Sequence, residues 1–312
     1  MALAEALATV SHDRWTRRLQ GDWSGQTLLE LAVRTLLTWE RGDLIIDDTV
    51  MPKPFATVIE GLAWVFSSQE HKPVYGLSLV LLVWTNGTLR IPLGMRLWRT
   101  GGLSKSALAL EWLSDARHRL RCRPECGLFD AWYPSKVLLQ RLRDDGWYVV
   151  CRLKTNRRFR GHALRHHRRH PYWAEYGRLS GGLNVLVVRY GQQYEATNRL
   201  TLVAPEVRRL HRWRAQIEAV MRVCTDQRGL SGCQARSIRA QQHPISGCLA
   251  ACCVLERERH DRHLSISQRK RLLSFQGRSV ALPALERLRT AAYCLKYSWN
   301  GQQLCYGMGG HS

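Results

Sequence analysis

The chain has 312 residues, 45% of them hydrophobic and 23% charged, a globular balance that excludes a disordered or fibrous polypeptide. Its 47 Lys+Arg against 25 Asp+Glu leave a formal charge of +22, a field that draws polyanions and repels basic partners. The longest strongly apolar run, residues 77–84, is too short to cross a bilayer, so no membrane partner is expected.

The first ten residues carry an early acid, Glu5, and no basic flank, and read as a helix and not a signal peptide. Ten cysteines with no zinc-finger spacing then read as reduced, mostly buried thiols. Residues 1–42 are predicted helical, with Leu28, Leu29, Leu31, Ala32, Leu36 and Leu37 near helical period and Gly42 as the stop. No helix-turn-helix is recognisable there. Leu44 to Asp47 is predicted as a short buried strand ending in an acid. Val74–Trp84 and Thr88–Trp98 form a hairpin about Asn86-Gly87, a strong turn signal. A helix from Ser104 to Leu120 follows, then a strand from Cys126 to Asp130, a helix from Ser135 to Asp144, and a strand from Trp147 to Leu153.

From Lys154 the texture changes. Arginines and histidines crowd residues 157–170, and Leu183–Tyr190 and Tyr194–Val203 read as two strands about Gly191. After Pro205 comes a long amphipathic helix. On it His211, Arg214, Glu218, Arg222 and Thr225 share one face, while Leu210, Trp213, Ile217, Val220, Met221 and Cys224 form an adjacent apolar face. Helices over 246–259 and 281–296 and a loose Gly-rich end complete the chain.

Three acids stand out in this order: Asp47 and Asp130, each closing an apolar strand, and Glu218 on the late helix. Carboxylates at the mouths of neighbouring strands, facing a third on a helix, can hold two Mg²⁺ ions against a phosphodiester. Asp48 points to the other side of its strand and is the lesser candidate. Plainer roles exist for each: a turn aspartate, a helix-entry acid, and a surface pair between Arg214 and Glu218 worth about 0.2–0.5 kcal/mol. Glu206, near a helix start, is a poorer third acid. A metal site from His162, His166 and His170 is opposed by Arg168 and Arg169 beside them. Trp132, Tyr133, Trp173 and Tyr176 offer faces for stacking on an unpaired base.

The segments LIIDDTVMPK (residues 44–53), FDAWY (129–133), VVCRLKTN (149–156) and RWRAQIE (212–218), in that order, resemble DDE transposases of the bacterial insertion-sequence class. The resemblance spans roughly residues 40–260. It implies an α/β fold: a ribonuclease H-like mixed five-stranded sheet flanked by helices, with a β-rich insertion before the glutamate-bearing helix and a helical N-terminal region. The implied divisions are a helical region 1–42, the first part of the core 43–153, a basic insertion 154–205, the rest of the core 206–260, and a basic C-terminal region 261–312. It implies Asp47, Asp130 and Glu218 as the catalytic, metal-holding residues, two Mg²⁺ or Mn²⁺ ions as cofactors, and cleavage of transposon ends followed by joining to target DNA.

The family's helix signature is incomplete here. Arg214 and Glu218 fit, but His211 stands in the tyrosine position and Thr225 in the lysine position. The lysine's contact with DNA then falls to Arg222 or Arg228, or is lost. Lys53, Lys154, Arg157, Arg158, Arg214 and Arg222 are the expected DNA contacts by charge and by place. Double-stranded DNA, a homodimer in the synaptic complex and a cytoplasmic, nucleoid-associated location follow from the same resemblance. Two other readings stay open: a structure-selective metal-dependent nuclease of this fold, and a non-catalytic DNA-binding relic.

Overall fold

The structure is a computed structural model and describes residues 25–36, 41–227 except 69, 168 and 169, 233–262 except 234, and Ser265 and Gln268. The predicted helices before residue 25 and over 281–296, the Gly-rich end, and Arg228 lie outside the described residues.

Helix α1 (Gly25–Leu36) precedes β1 (Asp43–Pro52), β2 (Ala63–Ser67), β3 (Lys72–Thr85) and β4 (Arg90–Trp98). Then come α2 (Lys105–His118), β5 (Cys126–Phe129), α3 (Lys136–Asp144) and β6 (Tyr148–Leu153). The two-residue strands β7 (Arg158–Phe159) and β8 (His162–Ala163) pair with each other, and β9 (Tyr172–Arg178), β10 (Asn184–Tyr190) and β11 (Gln193–Thr197) follow. Helices α4 (Ala204–Trp213) and α5 (Gln216–Arg222), a π-helical turn (Val223–Gln227) and α6 (Ile238–Arg262) end the described chain.

One nine-stranded mixed sheet runs in the order β2-β3-β1-β5-β6-β11-β10-β9, with β4 also on β3. Strand β1 is antiparallel to β3 and parallel to β5, and β5 is parallel to β6. Leu44, Ile45, Ile46, Leu128 and Phe129 are all fully buried, so both faces of the sheet centre are covered. Burying each such side chain contributes about 1.5–3 kcal/mol. Helix α2 packs on β3 and β4, α3 on β6, α4 on β5, β6 and β11, and α5 on β1 and β4.

Local chemistry explains much of this. Ser104 and Ser135 cap α2 and α3, their hydroxyls accepting the Ala107 and Leu138 N–H groups at 3.1 and 3.2 Å. The β3–β4 turn is closed by Asn86 Oδ1, which accepts the Leu89 N–H at 2.9 Å, and Gly87 takes φ +93° beside it. The Trp213 ring lies so close over Gly87 that a Cβ there would meet it at 2.6 Å. Gln216 Nε2 also donates to the Gly87 carbonyl at 2.8 Å, so the hairpin tip anchors the α4–α5 junction.

Four features depart from the sequence expectations. The sheet has nine strands and not five, because β11 pairs antiparallel with β6 and carries β10 and β9 into the same sheet. Strand β1 continues to Pro52, since its pairing with β3 runs on to Gly76, so Asp47 lies inside the strand and not at its end. The strand beginning near Tyr194 stops at Thr197, well short of Val203. The single helix expected to carry Glu218 is two, broken at Arg214 and Ala215.

Candidate active site

The parallel pairing of β1 with β5 ends at Ile46 and Phe129, so the next residues, Asp47 and Asp130, leave the apolar centre together. β1 goes on with β3 alone, which opens the sheet at the acids. Asp47 Oδ1 accepts the Asp48 N–H at 2.9 Å, and Oδ2 is bonded by Arg214 Nη1. Burial pushes the Asp47 carboxyl from its ordinary 3.8 to about 7; Arg214 opposes the rise, while the charges of Asp48 and Asp130 add to it. Asp130 Oδ1 accepts the Ala131 N–H at 2.7 Å, which fixes its carboxylate at the mouth of the strand.

Glu218 stands in the first turn of α5 with its side chain 56% exposed, and its Oε1 lies 3.7 Å from Arg214 Nη2. Arg214 thus links two of the three acids. Among the described residues no group of three or more His, Cys, Asp or Glu side chains is placed to hold a metal ion. That covers both the three acids and the histidines 162, 166 and 170. The donors nevertheless suit a hard cation: Mg²⁺ takes oxygen ligands and needs only one or two protein carboxylates beside a phosphate. The crowding of Asp47 by Asp48 and Asp130 is the electrostatic condition a cation relieves.

Asp48 is occupied on its own side. Its Oδ1 accepts from the Tyr133 hydroxyl at 3.0 Å, and its Oδ2 pairs with Lys105. Tyr133 is 2% exposed, and its hydroxyl is pushed up by burial first and then by Asp48, Asp47 and Asp130. It therefore offers no stacking face and instead ties β5 to β1. Sequence reasoning missed this role, although the hydroxyl's place three residues after Asp130 was a signal for it.

The residues expected at phosphates divide. Lys53 is 3% exposed and its Nζ donates to the Cys233 carbonyl at 2.6 Å, so it fastens a loop and meets no solvent. Burial lowers its ammonium pKa from the usual value. Lys154 and Arg158 are exposed, as is Arg222, and Arg157 is half-buried. Lys154 Nζ lies 3.7 Å above the ring of Trp132, itself 75% exposed. Beside Asp130, a cavity of about 190 Å³ opens between Trp132, Arg152, Lys154, Asn156 and Arg157.

His211 turns inward, 5% exposed, with Nδ1 3.3 Å from Oε1 of the buried Glu195 on β11. The contact with Glu195, and not the helix face alone, accompanies its inward direction. Thr225, half-buried, donates to the Met221 carbonyl at 3.1 Å. Glu206 is spent at the start of α4, where its Oε2 accepts the Val203 N–H at 3.0 Å. None of the eight described cysteines is in a disulfide, and six of them are buried.

The family model for the transposase DDE domain matches residues 38–254. No curated protein sequence matches the chain. Among solved structures, a piggyBac transposase synaptic complex with hairpin DNA is similar over 80% of this chain and 56% of that one, at 13% identity and TM-score 0.48. The Mos1 strand transfer complex covers 47% of this chain and 51% of that one, at 20% identity and TM-score 0.21. The chain thus spans about half the length of these two structures. The matched segment holds Asp47, Asp130 and Glu218 together with the strands and helix that position them, and on that match the chain belongs to the transposase DDE domain family.

Proposed function

We propose that this protein is a metal-dependent DNA transposase that cuts transposon ends and joins them to target DNA, with Asp47, Asp130 and Glu218 as its metal-holding residues. The observation that carries the reading is the release of Asp47 and Asp130 side by side where β1 and β5 part, inside a segment matched by the family model. A ribonuclease H-like core is supported by the order β4-β3-β1-β5-β6, with β1 antiparallel to β3 and parallel to β5.

Each residue has a stated task. Asp47 and Asp130 present oxygen donors from fixed strand positions, and Glu218 adds a third from a longer side chain on α5. Two Mg²⁺ or Mn²⁺ ions held there supply Lewis-acid activation of the attacking oxygen and stabilisation of the leaving oxygen. Exposed Lys154, Arg158 and Arg222, with Arg157, hold phosphates, each charge releasing counterions on binding. Trp132 supplies a face for an unpaired base beside Asp130, where base stacking contributes about 1–3 kcal/mol. No side chain needs to form a covalent bond with DNA. Duplex DNA is the substrate in this reading, and two protomers bring two ends together.

A second reading, a DNA-binding relic without cleavage, is favoured by Thr225 in the lysine position and by Arg214 already pairing with Asp47 and facing Glu218. The test uses labelled linear DNA carrying the element's own flanks, with Mg²⁺, Mn²⁺ or EDTA, and compares the wild type with Glu218→Gln. Metal-dependent cuts at the boundary that vanish in the variant support the transposase. Salt-sensitive binding with no cut in either protein leaves the relic. Cuts without strand joining leave a nuclease.

A further inference from the structure

We infer that Arg214 is the resident counter-ion of the carboxylate site: it holds the place between Asp47 and Glu218 that a divalent cation takes, and gives it up to a DNA phosphate. The inference rests on the metal-site reading above and adds an order of events to it. DNA binding draws the guanidinium off the carboxylates, and only then does the cation bind well.

The geometry is that of a two-pronged clamp. Nη1 bonds Asp47 and Nη2 faces Glu218 at 3.7 Å, so one planar group spans both acids. A guanidinium always carries its charge and matches carboxylate and phosphate alike, so the same fork can serve either partner. The Arg214 side chain is 17% exposed, so the pair it makes with Asp47 borders solvent. With both carboxylates ionised, one cation of charge +1 between them leaves the group at −1, and a divalent ion in its place leaves it neutral. The displaced arginine then needs an anion, and the phosphate backbone is the one at hand.

The backbone beneath Arg214 is fixed, so a change of partner falls to its side chain. Arg214 N–H bonds the His211 carbonyl at 3.1 Å and Ile217 N–H bonds the Arg214 carbonyl at 3.2 Å, the short i to i−3 pattern of a helix break. Trp213 on Gly87 and Gln216 on the Gly87 carbonyl pin the two sides of that break to the hairpin. His211 holds α4 to β11 through Glu195 one turn earlier. Only the long arginine stem is left to move, which makes Arg214 a positioning residue whose two settings are set by what anion or cation is present. By reciprocity, whatever DNA does to the affinity for metal, metal must do to the affinity for DNA.

The test measures Mn²⁺ binding to the full chain by electron paramagnetic resonance, with and without duplex DNA, in wild type, Arg214→Gln, Arg214→Lys and Asp47→Asn. Circular dichroism confirms that each variant is folded. The expected result without DNA is Mn²⁺ binding about tenfold tighter in Arg214→Gln than in wild type, a coupling of ordinary allosteric size. DNA tightens Mn²⁺ binding in the wild type and not in Arg214→Gln, while Arg214→Lys, which keeps the charge but not the fork, falls between the two. Binding that requires Asp47 but is equal or weaker in Arg214→Gln overturns the inference alone. Absence of Asp47-dependent Mn²⁺ in every protein, DNA present or not, overturns the metal-site reading and the inference together.

Discussion

Asp47→Asn should make the metal-free protein more stable at neutral and alkaline pH, although it destroys the site. The ionised Asp47 is costly because the fold buries it beside Asp48 and Asp130, which lifts its pKa from 3.8 to about 7. A native state that holds its proton more tightly than the unfolded chain loses stability as pH rises between those two values. Well below pH 3.8 both states are protonated and the acid has no cost of this kind. Every tenfold gain in proton affinity is worth roughly 1.36 kcal/mol, so a carboxyl lifted from 3.8 to about 7 sets an upper figure of roughly 4 kcal/mol by pH 8. At pH 5 the same arithmetic leaves roughly 1.6 kcal/mol. Asparagine cannot ionise and escapes this cost, less whatever Arg214 loses with its partner. Urea unfolding in EDTA at pH 5 and pH 8, at fixed ionic strength, reads the difference between variant and wild type. A gain for Asp47→Asn that grows from pH 5 to pH 8 supports the reasoning. A difference independent of pH, or a variant less stable at pH 8, refutes it. Added Mg²⁺ at pH 8 should restore the wild type and leave the variant unmoved.

Lys53→Met should weaken the fold by about 1–3 kcal/mol, through the lost bond to the Cys233 carbonyl, and leave the salt dependence of DNA binding unchanged. A flatter salt dependence in that variant would instead place Lys53 at a phosphate. Lys154→Ala and Arg157→Ala should each lower the slope of log affinity against log salt by about 0.9, measured by fluorescence anisotropy with duplex DNA. An unchanged slope removes the residue from the DNA surface. Gly94→Ala should cost about 1–3 kcal/mol or more in thermal unfolding, because its Cβ would meet the Trp112 ring at 2.2 Å. A melt like the wild type's would mean that the indole yields freely.

What the sequence shows of this molecule is what local patterns can carry. The apolar runs before Asp47 and Asp130, the Asn86-Gly87 turn, and the helix starts at Ser104 and Ser135 all act over a few residues, and each is found in place. The extent of β1 was not legible, because it depends on pairing with β3 some thirty residues on and not on Thr49 or Val50 themselves. Strands β10 and β11 were visible as apolar runs, yet nothing in them says that β11 pairs with β6 and enlarges the sheet. Exposed-looking Lys53 is buried and bonds the Cys233 carbonyl, and His211 faces Glu195, both long-range events. The break at Arg214 has no glycine or proline to announce it. Arg214 was expected beside Glu218 from helical spacing alone; its bond to Asp47 comes only from the fold.

The central claim is that Asp47 and Asp130, with Glu218, hold a divalent cation against DNA. Crystals of the full chain with duplex DNA of its own flanks, grown in Mn²⁺ and measured for anomalous scattering, test it directly. The account expects manganese on the Asp47, Asp130 and Glu218 carboxylates, with Arg214 moved onto a phosphate. Manganese bound elsewhere with these carboxylates bare, or Arg214 still closed on Asp47 with DNA in place, would contradict it.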